Sequence, residues 1–280
     1  MHYDIAAKVL MEKCRGEILR RFLGLSVSES TLLQELPQET VSIKRRDFPI
    51  LVTDDSGCRR LVLLEIQSHW DRQIPLRLLD YRCRYLLKHD LEAISCILLL
   101  RPSSAAVDSY ADNEVRYSYR LIRIYELDGR EIVEEKILCL MPFVPLMLHG
   151  EEVVDRADSA LYESALSRRD KADMLTAMTI FSGLVSEKLP RVLVSRRRDI
   201  MIESAAYDII KQEGIHQGMI QEAQEGILDI LEAHFDMVPE SIAKEIRGIE
   251  ALGVLKALRR SSVKVAGLDE FRTLLKKAKE

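Results

Sequence analysis

Two runs of strand-forming residues, Asp47-Phe-Pro-Ile-Leu-Val-Thr53 and Arg60-Leu-Val-Leu-Leu-Glu-Ile-Gln67, flank the turn-forming Asp54-Asp-Ser-Gly57. They read as a β-hairpin, because Asp and Gly supply the backbone freedom that a tight reversal needs. Both runs are apolar at successive positions instead of alternating, as in strands covered on both faces. A hairpin covered twice requires packed layers on either side, which points to a layered α/β fold. With 54–58 as the loop, Thr53 faces Arg59, and Asp47 falls opposite Glu65. Pro49 offers no N–H to a ladder, so a bulge or a locally unpaired position is expected there.

The rest of the chain fits around that hairpin. Residues 3–25 predict a helix with an apolar stripe at Ile5, Val9, Ile18, Leu19, Phe22 and Leu23, closed by Gly24. A Ser/Glu/Pro-rich link and a short strand at 41–44 follow. Pro75 opens a helix running to His89. Residues 94–100 predict a buried strand, 117–127 a longer amphipathic one, and 143–148 a short strand closed by His149-Gly150. Helices are expected at 157–166, 171–186 and 199–212, then a joint at Gly214 and Gly218, then a helical module with turns near Pro239, Gly248 and Gly267. The expected division is a mixed core at 1–150, a helical extension at 151–213 and a small all-helical module at 214–280.

Composition narrows the function classes. With 41 Lys+Arg against 45 Asp+Glu, the net charge of −4 excludes a basic nucleic-acid coat or an acidic tail over the chain as a whole. Residues 252–280 carry +5 and the remainder −9, a basic end that fits either a nucleic-acid contact or a solvated face of helices. No apolar stretch, that at 93–100 included, approaches the roughly 18 residues needed to span a bilayer. Asp4 and Lys8 stand where an export signal would be apolar. The five cysteines are scattered and never CxxC, which argues against a disulfide framework or a cysteine zinc site. A cytoplasmic protein with no membrane partner is expected.

The opposed Asp47 and Glu65 are the candidate chemistry. Like charges directly across a hairpin are destabilising unless something offsets them. A divalent cation does so, since Mg²⁺ binds through one or two carboxylates while retaining waters. Gln67, two residues on, projects to the same side as Glu65 and adds an amide. Asp47, Glu65 and Gln67 therefore form a candidate Mg²⁺ or Mn²⁺ site for phosphodiester hydrolysis, with Lys44, Arg45 and Arg46 near enough in sequence to hold a phosphate. The alternative from spacing alone is a pair of solvated strand-end acids, and a one-residue slip would separate them.

Asp47 with Glu65-Ile-Gln67-Ser68 resembles the PD-(D/E)xK nuclease superfamily, and the stretch Leu63–Leu86, LLEIQSHWDRQIPLRLLDYRCRYL, resembles its recombination-promoting nuclease and putative transposase branch. Glu65-Ile-Gln67-Ser68, Asp71, Pro75-Leu-Arg77 and Tyr81 carry that likeness, and the opening Tyr3-Asp4 with Lys8 resembles the branch's first helix. The module from about Gly218 resembles a helical domain of unknown function appended to such proteins. The resemblance implies a restriction-endonuclease-like core, a mixed sheet flanked by helices, that acts on DNA. Asp47 and Glu65 would bind metal, Gln67 would stand where the wider superfamily has Lys, and Asp4, or in its place Glu17, would be the first-helix acid. Gln cannot act as a general base or carry positive charge. That departure keeps a second reading: an inactive nuclease fold that binds DNA or a protein partner. In either case the C-terminal helices are a candidate homo-oligomer contact.

Other signals carry less. Ser68, His69 and Asp71 have the residue types of a hydrolase triad but lack a Gly-x-Ser-x-Gly elbow. The histidines show no H-x-x-x-H spacing for zinc, and there is no Walker or Gly-x-Gly-x-x-Gly motif. Trp70 is read as packing at the strand end in preference to stacking on a base. Arg196-Arg-Arg198 is read as a solvated helix entry.

Overall fold

The computed structural model describes residues 2–33 and 47–277; the strand expected at 41–44 and the basic run Lys44, Arg45 and Arg46 lie outside them. In chain order, α1 (Tyr3–Leu23) leads to strands β1 (Glu29–Leu32), β2 (Asp47–Thr53) and β3 (Arg59–Gln67), then α2 (Ile74–Lys88) and β4 (Ala93–Leu99). A small antiparallel pair, β5 (Ser109–Ala111) and β6 (Arg116–Ser118), precedes β7 (Arg120–Arg123) and α3 (Gly129–Glu134). Helices α4 (Gly150–Glu163), α5 (Arg168–Ser182), α6 (Leu189–Met201), α7 (Ala205–Phe235), α8 (Glu240–Arg247), α9 (Leu252–Ser262) and α10 (Leu268–Lys277) complete the chain. The chain divides into two compact units, Met1–Tyr207 and Asp208–Glu280. No described helix is long and apolar enough to cross a membrane.

The first unit is α/β, with a mixed five-stranded sheet in the order β1-β2-β3-β4-β7. β1, β2 and β3 run antiparallel, and β3, β4 and β7 parallel. The hairpin register is the one the turn dictates: Thr53 pairs with Arg59, Pro49 with Leu63 and Asp47 with Glu65, with no slip. Asp54 fixes the turn by accepting hydrogen bonds from the Ser56 and Cys58 amides through its carboxylate, and Gly57 takes the left-handed φ of 82°.

Pro49 produces no bulge. Its carbonyl accepts from the Leu33 amide at 2.8 Å, so its main-chain groups face β1, away from β3. The reciprocal bond that would continue the β1–β2 ladder needs the N–H that proline lacks, and β1 ends at Leu32. The proline thus shortens a neighbouring strand while leaving the hairpin intact.

β3 is covered on both faces. Val62, Leu64 and Ile66 join α1, α4, α5 and α6 in one large core, while Leu61 and Leu63 pack with Ile74, Leu78, Tyr81 and Tyr85 of α2 and with Tyr117 and Tyr119. Helices beyond residue 150 therefore share a core with the sheet. Gly150 is required there, because a Cβ on it would stand 1.9 Å from the Val144 carbonyl oxygen. In the second unit, α8, α9, α10 and the α7 residues from 208 onward enclose Ile227, Leu231, Ile246, Leu255, Phe271 and Leu275.

Several expectations are corrected. Residues 143–148 are not a strand: Pro142 and Pro145 break strand pairing, and Leu138–Leu146 winds as a buried 3-10 segment, leaving Leu148 a single bridge to Asp128. The strand expected over 117–127 is broken into β6, β7 and a 3-10 turn at Ile124–Glu126. The buried stripe of α1 is Ala6, Ala7, Leu10, Met11, Cys14, Ile18, Leu19 and Leu23, so Ile5 and Val9 are only half-buried. Gly214 and Gly218 make no joint, since both lie inside α7. Arg196-Arg-Arg198 falls at a kink in α6, where Arg197 leaves helical geometry at φ −122°, ψ 18°, but the run is not simply solvated: Arg197 pairs with the buried Asp158 at 2.8 Å and lies 4.0 Å over the Tyr162 ring.

α1 is held to α5 by Lys13, which bridges Asp170 and, at 3.0 Å, Asp173. Burial opposes the Lys13 charge, but hydrogen bonds to the two carboxylates outweigh it and raise its pKa, while Lys13 in turn lowers that of Asp170. The Lys13 contribution is full below the unfolded ammonium pKa of about 10.4 and fades as pH climbs through its raised folded value. The Asp170 contribution is full above about 3.9 and fades as pH falls through its depressed folded value. Lys13→Met is therefore expected to cost about 1–2 kcal/mol at pH 7 in urea unfolding, with the difference from the native chain shrinking by pH 2.5.

Candidate functional site

Strand alternation decides how Asp47 and Glu65 meet. Asp54 and Cys58 bond across the hairpin, so even-numbered residues of β2 face β3, and odd-numbered residues of β2 face β1, as the Thr53 and Pro49 carbonyls do. Asp47 and Glu65 are therefore a non-hydrogen-bonded pair, the kind whose Cα atoms approach to about 4.5 Å. On its other side β3 pairs in parallel with β4, which puts Glu65 beside Ile97 and Gln67 beside Leu99.

Glu65 and Gln67 lie in the face that holds Leu61 and Leu63, and they are only 3% and 8% exposed. An ionised carboxylate so deep requires polar partners. Gln67 Nε2 donates to Glu65 Oε1 at 2.5 Å, and Arg77 Nη2 reaches the same oxygen at 3.4 Å. Arg77 is itself positioned by Asp71, whose carboxylate receives Arg77 Nη1 at 3.2 Å and the Gln73 amide at 3.0 Å. The Asp71 bonds fix the entry to α2, so the first turn of that helix delivers its guanidinium to the strand. Sequence reading placed Arg77 only within a resembling motif; its first-turn position behind Pro75 is the signal that it faces the sheet.

Tyr117 and Tyr119 close the same face. Both phenols are pushed up to about 12, chiefly by burial, with the negative charge of Glu65 adding to it. They are neutral donors at ordinary pH, and Tyr119 donates to the Val107 carbonyl at 2.6 Å. Nothing in the sequence pattern distinguished either residue, because each sits in a short strand or at its end.

The remaining candidates sit on other elements. Asp4 is in the first turn of α1, whose buried side packs in the core on the even-numbered face of β3, and its Oδ1 is shielded from solvent. Glu17 pairs with Arg20 at 2.5 Å. Trp70 packs against the α2 cluster. Ser68 Oγ and His69 Nδ1 are 3.0 Å apart, but Asp71 belongs to Arg77 and Gln73 and orients no imidazole. Arg101 Nη1 is 2.8 Å from His69 Nε2. A guanidinium only donates, so Nε2 accepts, the proton of a neutral ring sits on Nδ1, and Nδ1 has no lone pair with which to activate Ser68.

Two acidic positions in register with an adjacent amide are a donor set suited to a hard divalent ion with retained waters. Among the described residues, no group of three or more His, Cys, Asp or Glu is gathered to hold a metal. Family models, curated proteins and solved structures were all compared with the chain, and none matches it.

The Arg77–Glu65 contact generates a direct test. Arg77→Ala is expected to cost about 1–3 kcal/mol, because it strips a cation from a buried carboxylate. In Glu65→Gln the same change is expected to cost distinctly less, giving a coupling energy of about 0.5 kcal/mol or more in a double-mutant cycle by urea unfolding.

Proposed function

We propose that the chain is a metal-dependent endodeoxyribonuclease of the PD-(D/E)xK type, a restriction-endonuclease-like core of the recombination- or transposase-associated kind acting in the cytoplasm. The observation that carries this reading is the cross-strand register of Asp47 with the buried Glu65, with Gln67 bonded to that same carboxylate. Without a function, an acid placed in register with the buried Glu65 is a cost that Leu or Val would avoid.

Asp47 and Glu65 would hold Mg²⁺ or Mn²⁺, with the Gln67 carbonyl beside them, and Asp4 is the residue proposed to support the site from the first helix. The ion, when bound, lowers the pKa of a water and stabilises the departing oxygen. Gln67 can orient a water or a phosphate oxygen by hydrogen bonding, but it takes no proton. Arg77 spends one nitrogen on Glu65 and another on Asp71, and its remaining donors suit a phosphate oxygen.

The second reading, an inactive nuclease fold that binds DNA or a protein partner, is favoured by one observation: Arg77 and Gln67 already satisfy Glu65 from within the chain. Supercoiled plasmid separates the two. The nuclease reading expects nicking with Mg²⁺ or Mn²⁺, none with EDTA, and a loss of at least about 100-fold in Glu65→Gln or Asp47→Asn. Intact plasmid under every condition, with salt-sensitive DNA binding retained, would establish the second reading.

A further inference from the structure

β7 begins at Arg120, opposite Cys96, so the earlier residues of β4 are left without a strand on that side. A cavity of about 590 Å³ occupies the gap, lined by Ala93–Ser95 and Arg116–Arg120 together with Arg82 of α2. It therefore gathers three guanidinium groups, two serine hydroxyls and the tyrosines Tyr117 and Tyr119. A second hollow of about 460 Å³ shares Arg82 and Arg120 and adds Arg60.

The charge of this cavity is uncompensated. Arg82 donates to the Ala93 carbonyl at 2.5 Å and reaches Ser95 Oγ at 3.5 Å, and Arg120 donates to the Leu23 carbonyl at 2.6 Å. Those acceptors are neutral. Among the described residues, no carboxylate forms an ion pair with Arg82, Arg116 or Arg120. The acid of the second hollow, Glu92, is exposed and reaches Arg60 at 3.6 Å. Three like charges drawn to one concave surface repel each other, and an anion with several acceptor oxygens relieves that repulsion while taking the unused guanidinium donors.

We propose that this cavity is a phosphate-binding site, in which Arg116 and Arg120 contact the oxygens of a phosphate mono- or diester and Arg82 supplies a fixed positive wall. It is separate from the acidic pair: Ser95 lies beside Leu63, two residues from Glu65 along β3, a displacement of roughly 6–7 Å. The proposal does not depend on hydrolysis. The phosphate is carried either by a small molecule or by a nucleic-acid strand, and both present the same oxygens.

The test is isothermal titration of the full chain with inorganic phosphate, in EDTA and constant chloride so that hydrolysis plays no part. Arg116 is exposed and forms no ion pair among the described residues, so Arg116→Gln should leave the fold intact, as circular dichroism would verify. Arg120→Gln is the second variant. The control is Arg84→Gln, on the same helix as Arg82 but paired with Asp80 at 3.0 Å and outside the cavity. Saturable binding is expected in the native chain and in Arg84→Gln, weakened about tenfold in each cavity variant. Absence of binding to the native chain, equal weakening in Arg84→Gln, or unchanged affinity in both cavity variants would overturn the site. Two further arms identify the carrier once the site is established: a 5′-mononucleotide binding more tightly than an oligonucleotide without terminal phosphate indicates a small ligand, and the reverse order indicates a strand.

Discussion

The two-sided burial of β3 is the constraint from which the rest of this fold follows. Its even-numbered residues enter the core shared with α1, α4, α5 and α6, and its odd-numbered residues enter the cluster built on α2. From residue 61 onward the strand offers no solvated face, so every side chain there must be apolar or internally satisfied. Leu61 to Leu64 meet the first condition. Glu65 and Gln67 meet the second, by bonding each other and by recruiting Arg77 across the layer. The acidic site is thus where a structural rule of the strand is suspended and the neighbouring helix is arranged to accommodate it.

The hairpin was legible because its information is local. Asp54-Asp-Ser-Gly57 sets the turn, the turn sets the register, and the register alone brings Asp47 opposite Glu65. The same holds for the two helix boundaries marked by unambiguous residues, Gly24 at a left-handed φ of 62° and Pro75 in the first turn of α2. What escaped the sequence depends on partners far along the chain. β1, Glu-Ser-Thr-Leu, has no apolar alternation and is a strand only because the edge of β2 offers it a ladder. The 3-10 segment at Leu138–Leu146 has the composition of a buried strand, and only its two prolines mark the difference. Gly214 and Gly218 look like breaks in a one-dimensional reading, yet a Cβ on either would meet nothing within 4 Å, and α7 runs through both.

Within the candidate site, the acids and the glutamine were legible from register and spacing, whereas Arg77, Tyr117 and Tyr119 were not. An arginine twelve residues from its carboxylate becomes its partner only when the loop between them turns α2 back over the sheet. The cavity arginines illustrate the same limit, since Arg82 comes from α2 while Arg116 and Arg120 come from the strands beyond β4. Both groups therefore rely on α2, which contributes one arginine from its first turn and another from its middle.

The acidic pair of the hairpin is proposed as a divalent-cation site. Its most direct test is isothermal titration of Mn²⁺ into the native chain, Glu65→Gln and Asp47→Asn, with no nucleic acid present. Saturable binding to the native chain is expected, lost in both variants, each of which keeps the native circular dichroism. Binding of equal affinity in all three proteins, or none in the native chain at millimolar Mn²⁺, would contradict it.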